Sequence, residues 1–216
     1  MSIRDSAVVL FDLDGTLIDS IALIESSYRH VAKLHTTRGF DREEWLLGLG
    51  RPLRWQFEQW TSDPKEIERM VATYREHNNA HHDAMVRPYV GAVEAVSELR
   101  RRGVRLGIVT SKLNSGALRG LKRGGFEGMF EVVLGCDDVV APKPAPEPAL
   151  LALERLGEGP TNAWMVGDSP HDIHCGQAAG TRTAAVLWGP FQRSSFVGPP
   201  PDLWLEHPRE LLSEFT

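Results

Sequence analysis

From position 88 onwards, short apolar runs alternate with stretches of helical spacing. The helical stretches end at glycines, namely Gly103, Gly125, Gly157 and Gly180. The runs predict strands at 104–109, 131–134, 163–166 and 183–188, and 202–205 is a candidate edge strand. Strands that alternate with helices of about ten residues indicate right-handed crossovers, and therefore a parallel sheet with helices on both faces.

A further strand is predicted near the N-terminus. The apolar run at residues 7–11 is too short for a helix but fits a central parallel strand, which Gly15 would end. Residues 17–86 then show apolar positions at helical spacing and no strand pattern, so they predict several inserted helices. We therefore predict an α/β fold in which residues 1–16 and 87–216 form the sheet core and residues 17–86 form a helical cap.

The inserted segment carries its own apolar pattern. One helical stripe consists of Leu17, Ile21, Ile24 and Tyr28, and Pro52 and Pro64 are placed to open two further helices. An aromatic group consists of Trp45, Trp55, Phe57 and Trp60. Aromatic residues at this spacing are typical of a small helical core, which we expect within the cap.

The composition restricts the class of function. The 216 residues are 42% hydrophobic and 25% charged, with a net charge of −5, which favours a globular protein and disfavours nucleic acid or an anionic membrane as partner. Cys136 and Cys175 form no Cys-x-x-Cys pair, so neither a disulfide framework nor a zinc site is indicated. Because no apolar run matches a membrane span or a signal peptide, we predict a cytoplasmic protein. We further expect a monomer or weak homodimer that acts on a small phosphorylated molecule.

Polar residues that could take part in catalysis or ligand binding follow the predicted strands. In an open parallel sheet, ligands bind at the carboxyl ends of the strands. The residues at those ends are Asp12 and Asp14, the run Thr110-Ser111-Lys112, and Asp168, while Lys143 lies in the loop after the third strand. We expect them to lie together at one edge of the sheet.

Asp12 and Asp14 lie two residues apart, so in an extended segment their side chains point the same way. A bound cation, a shared proton or divergence of the side chains into solvent would each relieve the repulsion between the two carboxylates. The alternative to a functional site is an ordinary Asp-Gly turn. A calcium loop of the EF-hand type is excluded, because Gly15 stands at position four of such a loop and Leu23 where glutamate is required.

These residue types match the needs of phosphoryl transfer. Asp12 is the candidate nucleophile, and Asp14 the candidate acid for the leaving group and then base for water. Thr110, Ser111 and Lys143 are candidates to bind phosphate oxygens. The candidate ligands of a magnesium ion are Asp12, Asp14, Asp168 and Asp172. Asp172 has an alternative role, because Ser169 and Pro170 would place it in the first turn of a helix, where it could simply stabilise the helix dipole.

The ordered motifs Asp12-Leu13-Asp14-Gly15-Thr16, Thr110, Lys143 and Gly167-Asp168-Ser169-Pro170-His171-Asp172 resemble those of the haloacid dehalogenase superfamily. The resemblance covers nearly the whole chain. It implies a Rossmann-like core with a helical cap after the first strand, and magnesium held by Asp12, the main-chain carbonyl of Asp14 and Asp168. The dehalogenase branch lacks the second aspartate, so Asp14 points to phosphoryl chemistry.

Two segments, 74–83 and 180–186, resemble the branch that hydrolyses inorganic pyrophosphate. The phosphoglycolate phosphatases share the core motifs and the cap, so phosphoglycolate is the alternative substrate. A phosphomutase and a non-catalytic phosphate-binding protein are further alternatives.

The loop at residues 48–53 is expected to bring the cap to the site. Arg51 in that loop is a candidate to bind a second phosphate or a substrate carboxylate, and an ordinary surface arginine is the alternative. We expect the cap to close about hinges at residues 17–20 and 85–89.

Overall fold

The computed structural model of the protein describes residues 8–37 and 39–215. The strands are β1 (Val8–Phe11), β2 (Ile18–Asp19), β3 (Arg87–Pro88), β4 (Arg105–Val109), β5 (Val132–Leu134), β6 (Ala163–Gly167), β7 (Arg182–Val186) and β8 (Leu203–Leu205). The helices are α1 (Ile21–His35), α2 (Arg42–Gly48), α3 (Leu53–Glu58), α4 (Pro64–Met85), α5 (Ala92–Arg101), α6 (Asn114–Gly124), α7 (Glu147–Leu156), α8 (Pro170–Ala179) and α9 (Glu210–Glu214).

Six of these strands form one parallel sheet in the order β5-β4-β1-β6-β7-β8. The predicted α/β class is therefore confirmed, and the predicted strands match the observed ones to within two residues at each described end. Ala7, the first residue of the predicted N-terminal run, lies outside the described residues. The central position of β1 follows from its composition, because all four of its residues are buried and both its edges are paired.

Side chains of β1 alternate between two apolar layers, as the period of an extended strand requires. Val9 and Phe11 pack into the layer that contains the buried faces of α5 and α6. Val8 and Leu10 pack into the opposite layer, with the buried faces of α7 and α8. The sheet is thus covered on both faces, as the run of consecutive apolar residues predicts.

Helices α1 to α4 lie in the predicted cap segment, here called the cap, and share a third apolar cluster. The ring of Tyr28 lies at its centre, with the centroids of Phe57 and Tyr74 at 5.3 and 5.0 Å. The prediction of an aromatic core holds for Trp45, Phe57 and Trp60. It is wrong for Trp55, which is half-buried and lies beneath the guanidinium of Arg51, at 4.5 Å from its ring centroid.

The sequence pattern also missed details at the junction of cap and core. Leu17 is buried in the main core and precedes α1, which begins at Ile21. Strands β2 and β3 pair antiparallel at this junction, within both predicted hinge segments. Two-residue strands are too short to produce a periodic pattern. The division at residues 17–86 and the motion about these hinges stay predictions.

No helix in residues 8–37 and 39–215 combines the length and the apolar character that a membrane crossing requires.

Candidate active site

Three neighbouring strands in the middle of the sheet, β4, β1 and β6, end at the same edge. Thr110 follows β4, Asp12 follows β1 and Asp168 follows β6, and all three side chains are buried. Asp12, Thr110 and Asp168 therefore lie together at the carboxyl ends of the strands, as the sequence predicts.

The chain turns sharply after β1. The carbonyl of Leu13 accepts hydrogen bonds from the amides of Leu17 and Ile18, at 3.0 and 3.1 Å. Gly15 has a φ of +87°, and a Cβ atom at this position would lie 2.5 Å from an oxygen of Asp168. Only glycine satisfies both conditions, so Gly15 ends the strand as predicted and lets the carboxylate of Asp168 lie close to the turn.

Asp12, Asp168 and Asp172 form a buried carboxylate cluster, with one oxygen of each within 4.8 Å of the others. Burial raises the pKa of Asp12, Asp172 adds to the rise and the ammonium of Lys143 opposes it, which leaves the pKa at about 7. Burial, together with Asp12 and Asp172, raises the pKa of Asp168 well above its ordinary value. The cluster therefore lacks enough positive charge to ionise fully at neutral pH.

Lys143 is the cation inside this cluster, and its side chain is only 2% exposed. Its Nζ donates to Asp12 Oδ1 at 2.7 Å, to Asp172 Oδ1 at 2.6 Å and to the carbonyl of Val109 at 3.1 Å. Burial disfavours the charge on Lys143, but the two carboxylates outweigh it and raise the pKa of the ammonium. Lys143 is therefore a fixed positive charge next to Asp12.

Asp172 lies in the first turn of α8, as the Ser169-Pro170 pair predicts. Its Oδ2 accepts hydrogen bonds from the amide of Ser169 at 3.0 Å and from the hydroxyl of Ser169 at 2.6 Å. Its Oδ1 accepts from Lys143. Both oxygens are thus held by protein donors, so the carboxylate is well placed to orient Lys143.

Thr110 and Ser111 have different surroundings. The hydroxyl of Thr110 accepts a hydrogen bond from the amide of Lys112 at 3.3 Å. The hydroxyl of Ser111 donates to the carbonyl of Gly50 in the cap, at 2.6 Å. Ser111 therefore joins the core to the cap, a contact that the sequence does not indicate.

Asp14 is not part of the buried cluster, although it lines the same cavity as Asp12. Its Oδ1 accepts hydrogen bonds from the hydroxyl of Ser20 and from Nζ of Lys112, the latter at 2.5 Å. The sequence places Lys112 at the strand end but does not indicate a role for it. Including every polar residue in the first turn beyond each strand would have found it.

The cap loop at residues 48–53 lies against the core. Gly50 has a φ of +94°, and a Cβ atom there would lie 2.9 Å from the hydroxyl of Ser169. The guanidinium of Arg51 donates to the carbonyl of Lys143 at 3.0 Å, while its Nε is buried without a hydrogen-bond partner among the described residues. The loop thus contacts two of the motifs that form the site.

A cavity of about 600 Å³ lies between cap and core and is lined by Asp12, Asp14, Thr110 and Asp168 at its core side. Its cationic lining residues include Arg51, Arg54, Arg75, Lys112 and Arg119. Apolar lining residues of the cap include Ile24, Tyr28, Leu49 and Leu53. An anionic ligand fits this combination of a cationic lining and a carboxylate-bearing floor, provided that the carboxylates are neutralised.

The donor set fits magnesium. The cluster offers only carboxylate oxygens, which magnesium prefers, and the raised pKa values of Asp12 and Asp168 mean that a bound cation would relieve an electrostatic cost. Within residues 8–37 and 39–215, the side chain of Asp168 accepts one hydrogen bond, from the hydroxyl of Thr16 at 3.1 Å. Its remaining oxygen positions suit a metal ion.

The sequence agrees with this architecture. A family model described as haloacid dehalogenase-like hydrolase matches residues 9–186, and the chain belongs to this family. Its membership of this family, together with relatives named as pyrophosphatases, identifies it as a hydrolase of phosphoric esters or anhydrides.

The names of individual relatives are more specific about the substrate than the family description is. The Pyrophosphatase PpaX of Halalkalibacterium halodurans is 44% identical over 178 residues, which are 82% of each chain. The Pyrophosphatase PpaX of Anoxybacillus flavithermus is 42% identical over 205 residues, 95% of this chain and 94% of the relative. A solved haloacid dehalogenase-like family hydrolase from Streptococcus pneumoniae has the same fold, with a TM-score of 0.83 at 24% identity over 98% of this chain and 99% of that one.

Proposed function

We propose that this protein is a magnesium-dependent pyrophosphatase that forms an aspartyl-phosphate at Asp12. The observation that carries the proposal is the position of Asp12, which lies 2.7 Å from the buried Lys143 on the floor of a cavity with cationic walls. The curated relatives described above share 42% and 44% identity with this chain and are named pyrophosphatases, which supports the choice of substrate.

The proposed reaction has two steps. An oxygen of Asp12 attacks one phosphorus of pyrophosphate, the bond from this phosphorus to the bridging oxygen breaks, and phosphate leaves with the electron pair. Asp14 then accepts a proton from a water molecule, whose oxygen attacks the phosphorus of the aspartyl-phosphate. A second phosphate is released and Asp12 is restored.

Lys143 and Asp172 prepare the nucleophile. The ammonium of Lys143 lowers the pKa of Asp12 against the effect of burial, and so favours the anion that attacks. Asp172 fixes Lys143 by a 2.6 Å ion pair and is itself fixed by Ser169. Thr110 borders the same cavity, where its hydroxyl can donate to an oxygen of the transferred phosphoryl group.

Asp12, Asp168 and the main-chain carbonyl of Asp14 would hold the magnesium ion. Asp172 belongs to the same cluster, but three protein donors already bind its oxygens. We therefore propose that Asp172 does not bind the ion directly but orients Lys143 beside the ion's ligands. When bound, magnesium supplies positive charge for the phosphate oxygens.

Arg51 would bind the second phosphate. Its Nε is a buried donor with no partner among the described residues, and its side chain lines the cavity. A carboxylate could use the same donor, so phosphoglycolate is retained as the alternative substrate. We further propose a cytoplasmic location for the protein.

The test is phosphate release in the presence of magnesium from pyrophosphate, phosphoglycolate, a sugar phosphate and a nucleotide, with Asp12→Asn as blank. We expect pyrophosphate to have the highest kcat/KM, by about tenfold or more. A preference for phosphoglycolate would replace the assigned substrate. If none of the four substrates releases phosphate faster than with the blank, the enzymatic function is refuted.

A further inference from the structure

Lys112 is the second lysine that binds a carboxylate at this site. Its amide donates to the hydroxyl of Thr110 at 3.3 Å, and its carbonyl accepts from the amide of Cys136 at 2.8 Å. Its side chain is 18% exposed, and its Nζ lies 2.5 Å from Asp14 Oδ1. Both its backbone and its charged end are therefore held in place.

The two lysines serve different aspartates. Lys143 binds Asp12, the proposed nucleophile, whereas Lys112 binds Asp14, the candidate acid for an ester leaving group and the proposed base for water. Lys112 also lines the cavity, whereas Lys143 lies beneath it with 2% exposure. A cation therefore lies beside Asp14 in the lining of the cavity where the substrate would bind.

We propose that Lys112 makes the site selective for a phosphoanhydride over a phosphate ester. The inference rests on the proposed function and concerns the nature of the leaving group. Lys112 acts by its position next to the departing oxygen.

The chemistry of the two leaving groups differs. When the bond between phosphorus and the bridging oxygen of pyrophosphate breaks, the bridging oxygen takes the electron pair and leaves as phosphate. This anion needs no proton, and an ammonium group beside it stabilises the charge that develops. The leaving oxygen of an ester takes the electron pair as a much stronger base, which requires a proton from an acid. A fixed cation therefore contributes more to anhydride cleavage than to ester cleavage.

The experiment compares kcat/KM for pyrophosphate and for ethyl phosphate, an alkyl ester whose leaving group carries no other charge. The variants are Lys112→Met, Lys112→Gln in case the methionine protein does not fold, and Lys112→Arg. The matched control is Lys122→Met, since Lys122 lies on α6 with its side chain 73% exposed.

We expect loss of the Lys112 charge to lower kcat/KM for pyrophosphate by about 30-fold or more and for ethyl phosphate by less than about threefold, in line with the loss of one transition-state contact. Lys112→Arg should restore most of the ratio between the two substrates, and Lys122→Met should leave it unchanged. A role of Lys112 in folding alone would lower both activities equally.

An unchanged ratio in Lys112→Met and Lys112→Gln would overturn the inference, as would a larger loss on ethyl phosphate. The wild-type protein is measured first. If it does not hydrolyse pyrophosphate, the proposed function fails. If it does and the ratio does not respond to Lys112, only the role of Lys112 fails.

Discussion

Nζ of Lys143 lies 2.7 Å from Oδ1 of Asp12, and both side chains are buried. A buried pair of this kind is costly to break, because removing one partner leaves the other charge without compensation. Lys143 faces a second carboxylate as well, that of Asp172. One lysine thus balances two buried aspartates.

Lys143→Met should lower turnover to below about 1% of wild type, since it removes a charge next to the attacking oxygen. Without the ammonium the pKa of Asp12 rises further, so the acid limb of the pH–rate profile should move to higher pH. Steady-state rates between pH 5 and 9 measure both effects. An unshifted acid limb would contradict the assigned contact.

The same substitution should lower the free energy of unfolding by about 3 to 5 kcal/mol in the absence of metal. The double variant Lys143→Met/Asp172→Asn removes one carboxylate together with the lysine, so it should recover part of this stability while remaining inactive. Urea titrations with a chelator present compare the three proteins. Recovery of activity in the double variant would show that Lys143 is not needed for catalysis.

A pH-dependent change in stability should follow from the raised pKa of Asp12. The folded state holds the proton of Asp12 up to about pH 7, against an ordinary value of 3.8, so folding stability from this group is lost as the pH rises through 7. Asp12→Asn cannot ionise. In chelator it should therefore be more stable than wild type at pH 8.5, by about 1 to 3 kcal/mol, with a smaller difference at pH 5.5.

Urea unfolding at the two pH values gives this difference. Asp19→Asn is the control, because Asp19 is exposed in β2. A wild-type protein that is as stable as Asp12→Asn at pH 8.5 would show that the buried cluster carries no excess negative charge.

Gly50→Ala tests the docking of the cap loop. The φ of +94° strains any other residue, and the added Cβ would lie 2.9 Å from the hydroxyl of Ser169. The loop would have to move away from the core, so we expect kcat/KM to fall by about 10- to 100-fold. The activity assay is run beside a thermal melt to separate this effect from unfolding.

Gly39→Ala is the matched control in the same cap. Gly39 also has a positive φ, +78°, but no atom of the described residues lies within 4 Å of a Cβ built there. The two variants share the backbone strain, and only Gly50→Ala adds the contact with the core. Equal losses of activity would mean that strain in the cap, and not docking of the loop, limits catalysis.

Much of this architecture could be predicted from the sequence, because it follows from local rules. The central position of β1 follows from consecutive apolar residues, and the meeting of Asp12, Thr110 and Asp168 follows from the parallel sheet. Gly15 could be placed in a turn from its sequence alone. Its closeness to Asp168 depends on the pairing of β1 with β6 and becomes visible only in three dimensions.

Other features depend on side-chain direction between distant segments. The pairing of Lys112 with Asp14 joins residues 98 positions apart, and the bond from Ser111 to Gly50 joins core and cap. Trp55 appeared to belong to the cap core by spacing, but Arg51 covers its ring instead. A periodic pattern reports burial along one element and cannot report which partner lies opposite.

The most direct test of the central claim is to trap the phosphorylated enzyme. The Asp14→Asn protein is mixed with radiolabelled pyrophosphate and magnesium and quenched in acid within a second. A phosphate leaving group needs no acid, whereas breakdown of the intermediate needs the base, so label should accumulate on the protein. Peptide mapping should place the label on Asp12, and Asp12→Asn/Asp14→Asn should carry none. Rapid pyrophosphate hydrolysis without labelled protein, or label on a different residue, would contradict the account.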